Sequence, residues 1–318
     1  MKHKRIREIL LDLRILKSLS IMKRSILIVI ILSLVAFSCR TGTRKAEGNV
    51  SDNLKQFRIT ELWRTDTLLL TPESVIFDRS RDVIYVSNMN LEPRLKDGNG
   101  FISRLDMNGK ILDLHWIDGL SSPKGLAILG DTLFAADVDE IVAMDINAGK
   151  IITKISIPGA KMINDITSAP DGTLYISDTD ANKIYHYSGG KVRDWLTEGL
   201  SGPNGLLFDG VRMLIASQGS NDYASADMTT KGKIILTENI NHADGIAFTG
   251  ITGYYFVSDW NGIIYMINPD YSKVSLLSTI DKGINTADLA YDPELNMLIV
   301  PTFYKNCVVA YKLEEPGQ

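Results

Sequence analysis

Five polar residues recur at a nearly fixed interval: Glu73, Lys124, Asn164, Asn204 and Asp244, with Ala287 or Asp288 as a sixth member. The steps between them are 51, 40, 40, 40 and about 43 residues. If the chain brings these positions together, two carboxylates and two amides offer oxygen ligands only. Such a set suits a hard cation, Ca²⁺, Mg²⁺ or Mn²⁺, better than zinc. Lys124 can act in two ways. It can neutralise Glu73 and Asp244 with no metal, or it can lie at a channel mouth and steady an anionic substrate or oxyanion. His242, two residues before Asp244, is a candidate substrate contact or general base. The plain alternative for Glu73, Asn164, Asn204 and Asp244 is strand capping and contact with channel water, and for Lys124 a salt bridge or an exposed place at the channel mouth.

The elements that must position these residues are legible in the same repeat. Each recurring residue opens an apolar run, and a second apolar run follows. Pro72-Glu73-Ser74-Val75-Ile76-Phe77 leads to Val83-Ile84-Tyr85-Val86-Ser87-Asn88, and Pro203-Asn204-Gly205-Leu206 leads to Leu214-Ile215-Ala216-Ser217. Turn signals such as Pro170-Asp171-Gly172 and Asn108-Gly109 separate the runs. A period of about 40 residues built from short strands predicts an all-β, six-bladed β-propeller. A seven-bladed ring with a cryptic blade and an open solenoid are the alternatives. The long first step is explained by a polar insertion over residues 90–99. Residues 57–70 alternate like a strand and are expected to supply the outer strand of the last blade, closing the ring. Residues at one repeat position then face one axial channel. A second ring, Asn88, Asp137, Asp178, Gln218, Asp259 and Thr302, ends the second strands and reads as hairpin capping.

Composition narrows the function. The 318 residues carry a formal charge of −4. Residues 1–39 hold eight of the 34 basic and two of the 38 acidic residues, so the remainder stands at −10. An acidic body lacks the basic stripe that nucleic-acid binding requires. The two cysteines, Cys39 and Cys307, are too few for a disulfide framework. No P-loop, dinucleotide fingerprint or serine nucleophile elbow is present.

Met22-Lys23-Arg24 opens a basic region, and residues 26–37 form an apolar stretch too short for a stable membrane span. It ends in Ala36-Phe37-Ser38-Cys39, which resembles a bacterial lipobox. The resemblance implies cleavage before Cys39 and its lipidation. Residues 1–39 are thus read as a signal region whose true start is Met22, with a long basic extension as the alternative. Residues 40–54 read as a polar tether, and residues 55–318 as the propeller. The expected location is the bacterial cell envelope, with membrane contact through the lipid alone and the propeller as a monomer.

At Pro72-Glu73, Asn164-Asp165, Pro203-Asn204-Gly205-Leu206 and Ala243-Asp244-Gly245, the sequence resembles the regucalcin (senescence marker protein)/gluconolactonase family of six-bladed propellers. The resemblance spans about residues 70–310. It implies Glu73, Asn204 and Asp244 as ligands of one divalent cation, with Asn164 touching metal or substrate. It also implies Asp244 as the base for water attack on a lactone. The chain departs from that family at Lys124 and at Met162, which stands where the family carries a substrate-binding arginine. Asp178-Thr179-Asp180-Ala181-Asn182-Lys183-Ile184 is similar to the repeat signature of NHL propellers, many of which only bind. Two functions follow: a metal-dependent hydrolase of a small lactone or ester, or a non-catalytic propeller that binds a glycan or a protein partner.

Overall fold

A computed structural model describes residues 57–315. Cys39, the signal region and the tether lie outside the described residues. The described chain is nearly all β: 24 strands in six antiparallel four-stranded sheets, with two short 3-10 turns. The first five blades are contiguous in sequence, over residues 72–120, 123–156, 163–196, 203–238 and 243–278. Their inner strands are β2 (Pro72–Asp78), β6 (Pro123–Leu129), β10 (Ile163–Ser168), β14 (Pro203–Phe208) and β18 (Ala243–Phe248). The sixth blade combines β22 (Ala290–Asp292), β23 (Met297–Pro301) and β24 (Val308–Glu314) with β1 (Arg58–Arg64).

The closure expected from residues 57–70 is therefore present. Strand β1 runs antiparallel to β24, with Arg58 opposite Glu314 and Arg64 opposite Val309. The pairing covers an edge that would otherwise be free. Trp63 adds a tie to the first blade, its indole nitrogen donating to the Met107 carbonyl at 3.1 Å.

Apolar layers fill the space between neighbouring blades. Tyr85, Ile102, Leu126 and Leu133 pack between the first and second, and Phe256, Leu289, Leu298 and Val300 between the fifth and sixth. Each is at most 6% exposed, so the ring is held by burial of large apolar groups. Carboxylates at the ends of second strands cap the turns that lead into inner strands. Asp137 accepts from the Ser121 and Ser122 amides, and Asp178 from those of Lys161 and Met162. Asn88 does the same for Leu70 N.

Candidate functional site

A bulge aims the recurring polar residues. In each of the first five inner strands the register slips at the same place: between Pro72 and Val75, Pro123 and Leu126, Ile163 and Ile166, Pro203 and Leu206, and Ala243 and Ile246. Two residues there oppose one on the partner strand, and the first of the two is the recurring polar residue. A bulge bends the strand and re-aims a side chain. It also frees a backbone N–H, and in three of the five blades a serine takes it up. Ser87, Ser177 and Ser258 hydroxyls accept from the amides of Ser74, Asp165 and Gly245 at 2.9, 2.9 and 2.8 Å.

The result is one cavity of about 270 Å³. Glu73, Lys124, Asn164, Asn204, His242 and Asp244 all line it. In the sixth blade Ala287 takes the ring position, fully buried against Met89 and Phe303. Asp288 lines a different cavity, farther along the inner strands.

The two carboxylates at the cavity are buried and partly unpartnered. Glu73 is 5% and Asp244 2% exposed, and Glu73 Oε2 and Asp244 Oδ1 have no hydrogen-bond partner. Burial, followed by the charge of Asp244, pushes the Glu73 carboxyl well above the usual range, against the pull of Lys124. Burial and the Asp165 charge push Asp244 well above its usual range, with a hydrogen bond from Asn204 opposing. Asn164 Nδ2 donates to Thr179 Oγ1 at 3.1 Å, which leaves its amide oxygen for another partner. Thr179 in turn donates to the Pro203 carbonyl at 2.8 Å, coupling the third and fourth blades at the site.

Lys124 does not bond either carboxylate. Its Nζ donates to the Pro93 carbonyl at 2.9 Å, the Ser122 carbonyl at 2.9 Å and Ser122 Oγ at 3.2 Å. These three contacts use the donors of an ammonium group. Burial pulls its pKa down to about 8, with Glu73 opposing. His242 has φ of 51°, in the left-handed region, and its Nδ1 lies 3.2 Å from Asn261 Nδ2.

The donor set suits a divalent cation of the hard kind. Among the described residues no three His, Cys, Asp or Glu side chains cluster as a metal site. A cation here would therefore depend on the amide oxygens as well as on Glu73 and Asp244. The two orphaned carboxylate oxygens are what such an ion would satisfy.

Sequence reasoning missed the aromatic wall of the cavity and one of its charged residues. Trp260, Phe303 and Tyr304 line it, although they follow the second strands of the fifth and sixth blades and carry no repeat signal. Arg94 also lines it, from the insertion over residues 90–99. The length of that insertion was visible in the repeat, but not where it would fold.

No protein-family model matches the chain, and no curated protein matches it. Solved structures do. The chain is similar to a protein provisionally described as a gluconolactonase, with 15% identity and a TM-score of 0.60 over 81% of this chain and 93% of that one. It is similar to an auxiliary nutrient binding protein from Bacteroides thetaiotaomicron, with 12% identity and a TM-score of 0.63 over 82% and 77%. It is also similar to an inactive virginiamycin B lyase from Staphylococcus aureus solved with quinupristin, with 14% identity and a TM-score of 0.58 over 81% and 99%. At such identities the likeness is one of fold: this chain is a six-bladed β-propeller that shares its architecture with a gluconolactonase-like protein.

Proposed function

We propose that the chain is a divalent-cation-dependent hydrolase of a small lactone or ester, acting in the cavity ringed by Glu73, Asn164, Asn204 and Asp244. The observation that carries this reading is the pair of buried, unpartnered oxygens, Glu73 Oε2 and Asp244 Oδ1, in a cavity whose lysine is bonded elsewhere. Leaving two such groups without partners costs stability. A site that binds nothing gains nothing from that cost.

Glu73, Asn204 and Asp244 would hold the cation, with Asn164 contacting it or the substrate. The cation would supply Lewis-acid polarisation of the scissile carbonyl. Asp244 would also accept the proton of the attacking water. Burial limits competing water and strengthens each charge–dipole contact in the cavity. Lys124, anchored on Pro93 and Ser122, would contribute its positive charge from a fixed place, and His242 would contact substrate from the rim. On this reading the chain would be kin to regucalcin as well as to gluconolactonases.

The aromatic wall favours a second reading, a non-catalytic glycan-binding propeller, because Trp260 and Tyr304 offer ring faces at the mouth. Metal analysis of the purified protein, paired with a screen of sugar lactones and small esters with Ca²⁺, Mg²⁺, Mn²⁺ or EDTA, separates the two. Hydrolysis that requires a divalent ion is expected. Glycan retention with neither bound metal nor turnover would leave the binding reading in place.

The chain is further inferred to be exported and held at the cell envelope by a lipid on Cys39. A Cys39→Ala protein should lose its membrane association or its processing. Unchanged mass and retention would exclude the anchor.

A further inference from the structure

Four charged side chains line the cavity: Glu73, Asp244, Lys124 and Arg94. Arg94 belongs to the insertion over residues 90–99 that gives the repeat its longest step. Polar contacts strap this segment across neighbouring blades. Arg94 Nε and Nη2 pair with Asp180 at 2.7 and 2.9 Å, and Lys96 Nζ pairs with Asp139 at 2.6 Å. Just before them in the chain, the Pro93 carbonyl takes the bond from Lys124. A long ordered loop must offset the entropy lost in fixing it, and such loops concentrate at functional sites.

The bidentate pair with Asp180 fixes the plane of the guanidinium. It uses Nε and Nη2 and leaves Nη1 without a hydrogen bond among the described residues. Lys124 has no such free donor. Arg94 is therefore the cation at this cavity that can donate to an incoming ligand.

Across from this charged edge stands the aromatic wall. Trp260 meets Phe303 and Tyr304 edge-on, with ring centroids 5.2 and 6.0 Å apart. Phe303 has φ of 51°, a backbone conformation unfavourable for a bulky residue, at the residue that turns this wall toward the site.

Charge selects the ligand. With both carboxyls deprotonated, as a bound cation would hold them, and Asp180 counted beside Arg94, the charges sum to minus one. A divalent cation at Glu73 and Asp244 turns that sum to plus one. The loaded cavity then complements a monoanion.

We propose that the cavity takes a monoanionic ring compound, its ring against Trp260 and its carboxylate on Nη1 of Arg94, and that Arg94 sets the preference for the anion. The charge balance rests on the divalent-cation reading. The Arg94 contact does not.

The test is calorimetric titration of the purified protein with phenylacetate and with its neutral isostere phenylacetamide, in CaCl₂ or in EDTA. With calcium, phenylacetate should bind at least about tenfold more tightly than the amide. Arg94→Gln should erase that ratio and leave amide affinity within about twofold. Arg94→Lys, which keeps a charge for Asp180, should retain part of the ratio. Lys96→Gln, which loosens the strap without removing Arg94, should leave the ratio unchanged. Equal affinities for acid and amide in the unmodified protein, or binding of neither, would overturn the proposal. So would an Arg94→Gln protein that loses acid and amide alike, because Arg94 would then act only through loop order. A preference for acid that is undiminished in EDTA supports Arg94 and sinks the cation reading. A preference that shrinks in EDTA without vanishing supports both, and one that vanishes assigns the preference to the cation and overturns the Arg94 contact.

Discussion

The axial channel has two layers of carboxylates, one residue apart along the inner strands, and they are treated in opposite ways. In the upper layer Glu73 and Asp244 each keep a buried oxygen without a partner. In the lower layer the oxygens are put to use. Asp165 Oδ1 accepts from Ile166 N and Oδ2 from Leu206 N, both at 2.6 Å, tying the third blade to the fourth. Asp288 Oδ2 accepts from Ser74 Oγ at 2.5 Å, tying the sixth blade to the first. Glycine makes room for both. A Cβ at Gly125 would collide with Asp165 Oδ1, and one at Gly245 with Asp288 Oδ1. The same side-chain chemistry thus serves as an inter-blade staple in one layer and is held open for a ligand in the other.

The largest test of that contrast is Asp244→Asn. Under the hydrolase reading it should lower kcat/KM by about 10³-fold, roughly 4 kcal/mol in the barrier, since it removes a ligand and the base together. Its Tm should be unchanged or higher, because no partner is lost at Oδ1. A large fall in Tm would show that the upper layer is a staple too.

Asp165→Ala should do the reverse. It strands two buried N–H groups, at about 1–3 kcal/mol each. A loss near 3 kcal/mol lowers Tm by roughly 6 °C in a chain of this size. Activity per folded molecule should change much less than in Asp244→Asn. Equal losses of activity in the two variants would erase the distinction between layers.

A pH series sharpens it. Burial raises Asp165 to about 6 and holds Asp288 well above the usual carboxylate range, as it does Glu73 and Asp244. A group with a raised folded-state pKa keeps its proton while the unfolded chain releases it, so stability falls as pH rises from about 4 through the folded pKa. In EDTA the Tm should therefore decline from about pH 4 to 6 and continue to decline above it. Calcium should lessen the decline that comes from the upper layer and leave the Asp165 part between about pH 4 and 6. A calcium effect equal at all pH values would argue against binding at the carboxylates. The smallest effect is expected from Ser74→Ala, which removes the donor to Asp288 Oδ2 and should cost about 1 kcal/mol.

The division between the layers also marks what the sequence could tell. The ring residues were legible because each opens an apolar run at a 40-residue interval, and a repeat places equivalent positions around one axis. Their partners were not. Whether Asp244 is bonded or bare depends on neighbours from other blades, which the repeat does not specify. The sixth position stayed open between Ala287 and Asp288 because the step there is irregular. The fold assigns Ala287 to the upper layer and Asp288 to the lower one. The destination of the Lys124 ammonium depended on Pro93, in an insertion with no counterpart in other blades. Trp260, Phe303 and Tyr304 reach the cavity from connections after second strands, where periodicity carries no information.

The joint of the last blade has a consequence for how the chain could be rewired. Because Arg58 stands opposite Glu314, the described chain enters and leaves the ring side by side. A linker of about two to five residues, the span of a hairpin loop, would join these ends. The chain could then be reopened at the exposed Gly189–Gly190 turn. In such a circular permutant the sixth blade would become contiguous and the third would be the one assembled from two ends. The β1–β24 joint would then be one choice among six for where a closed ring of blades is cut.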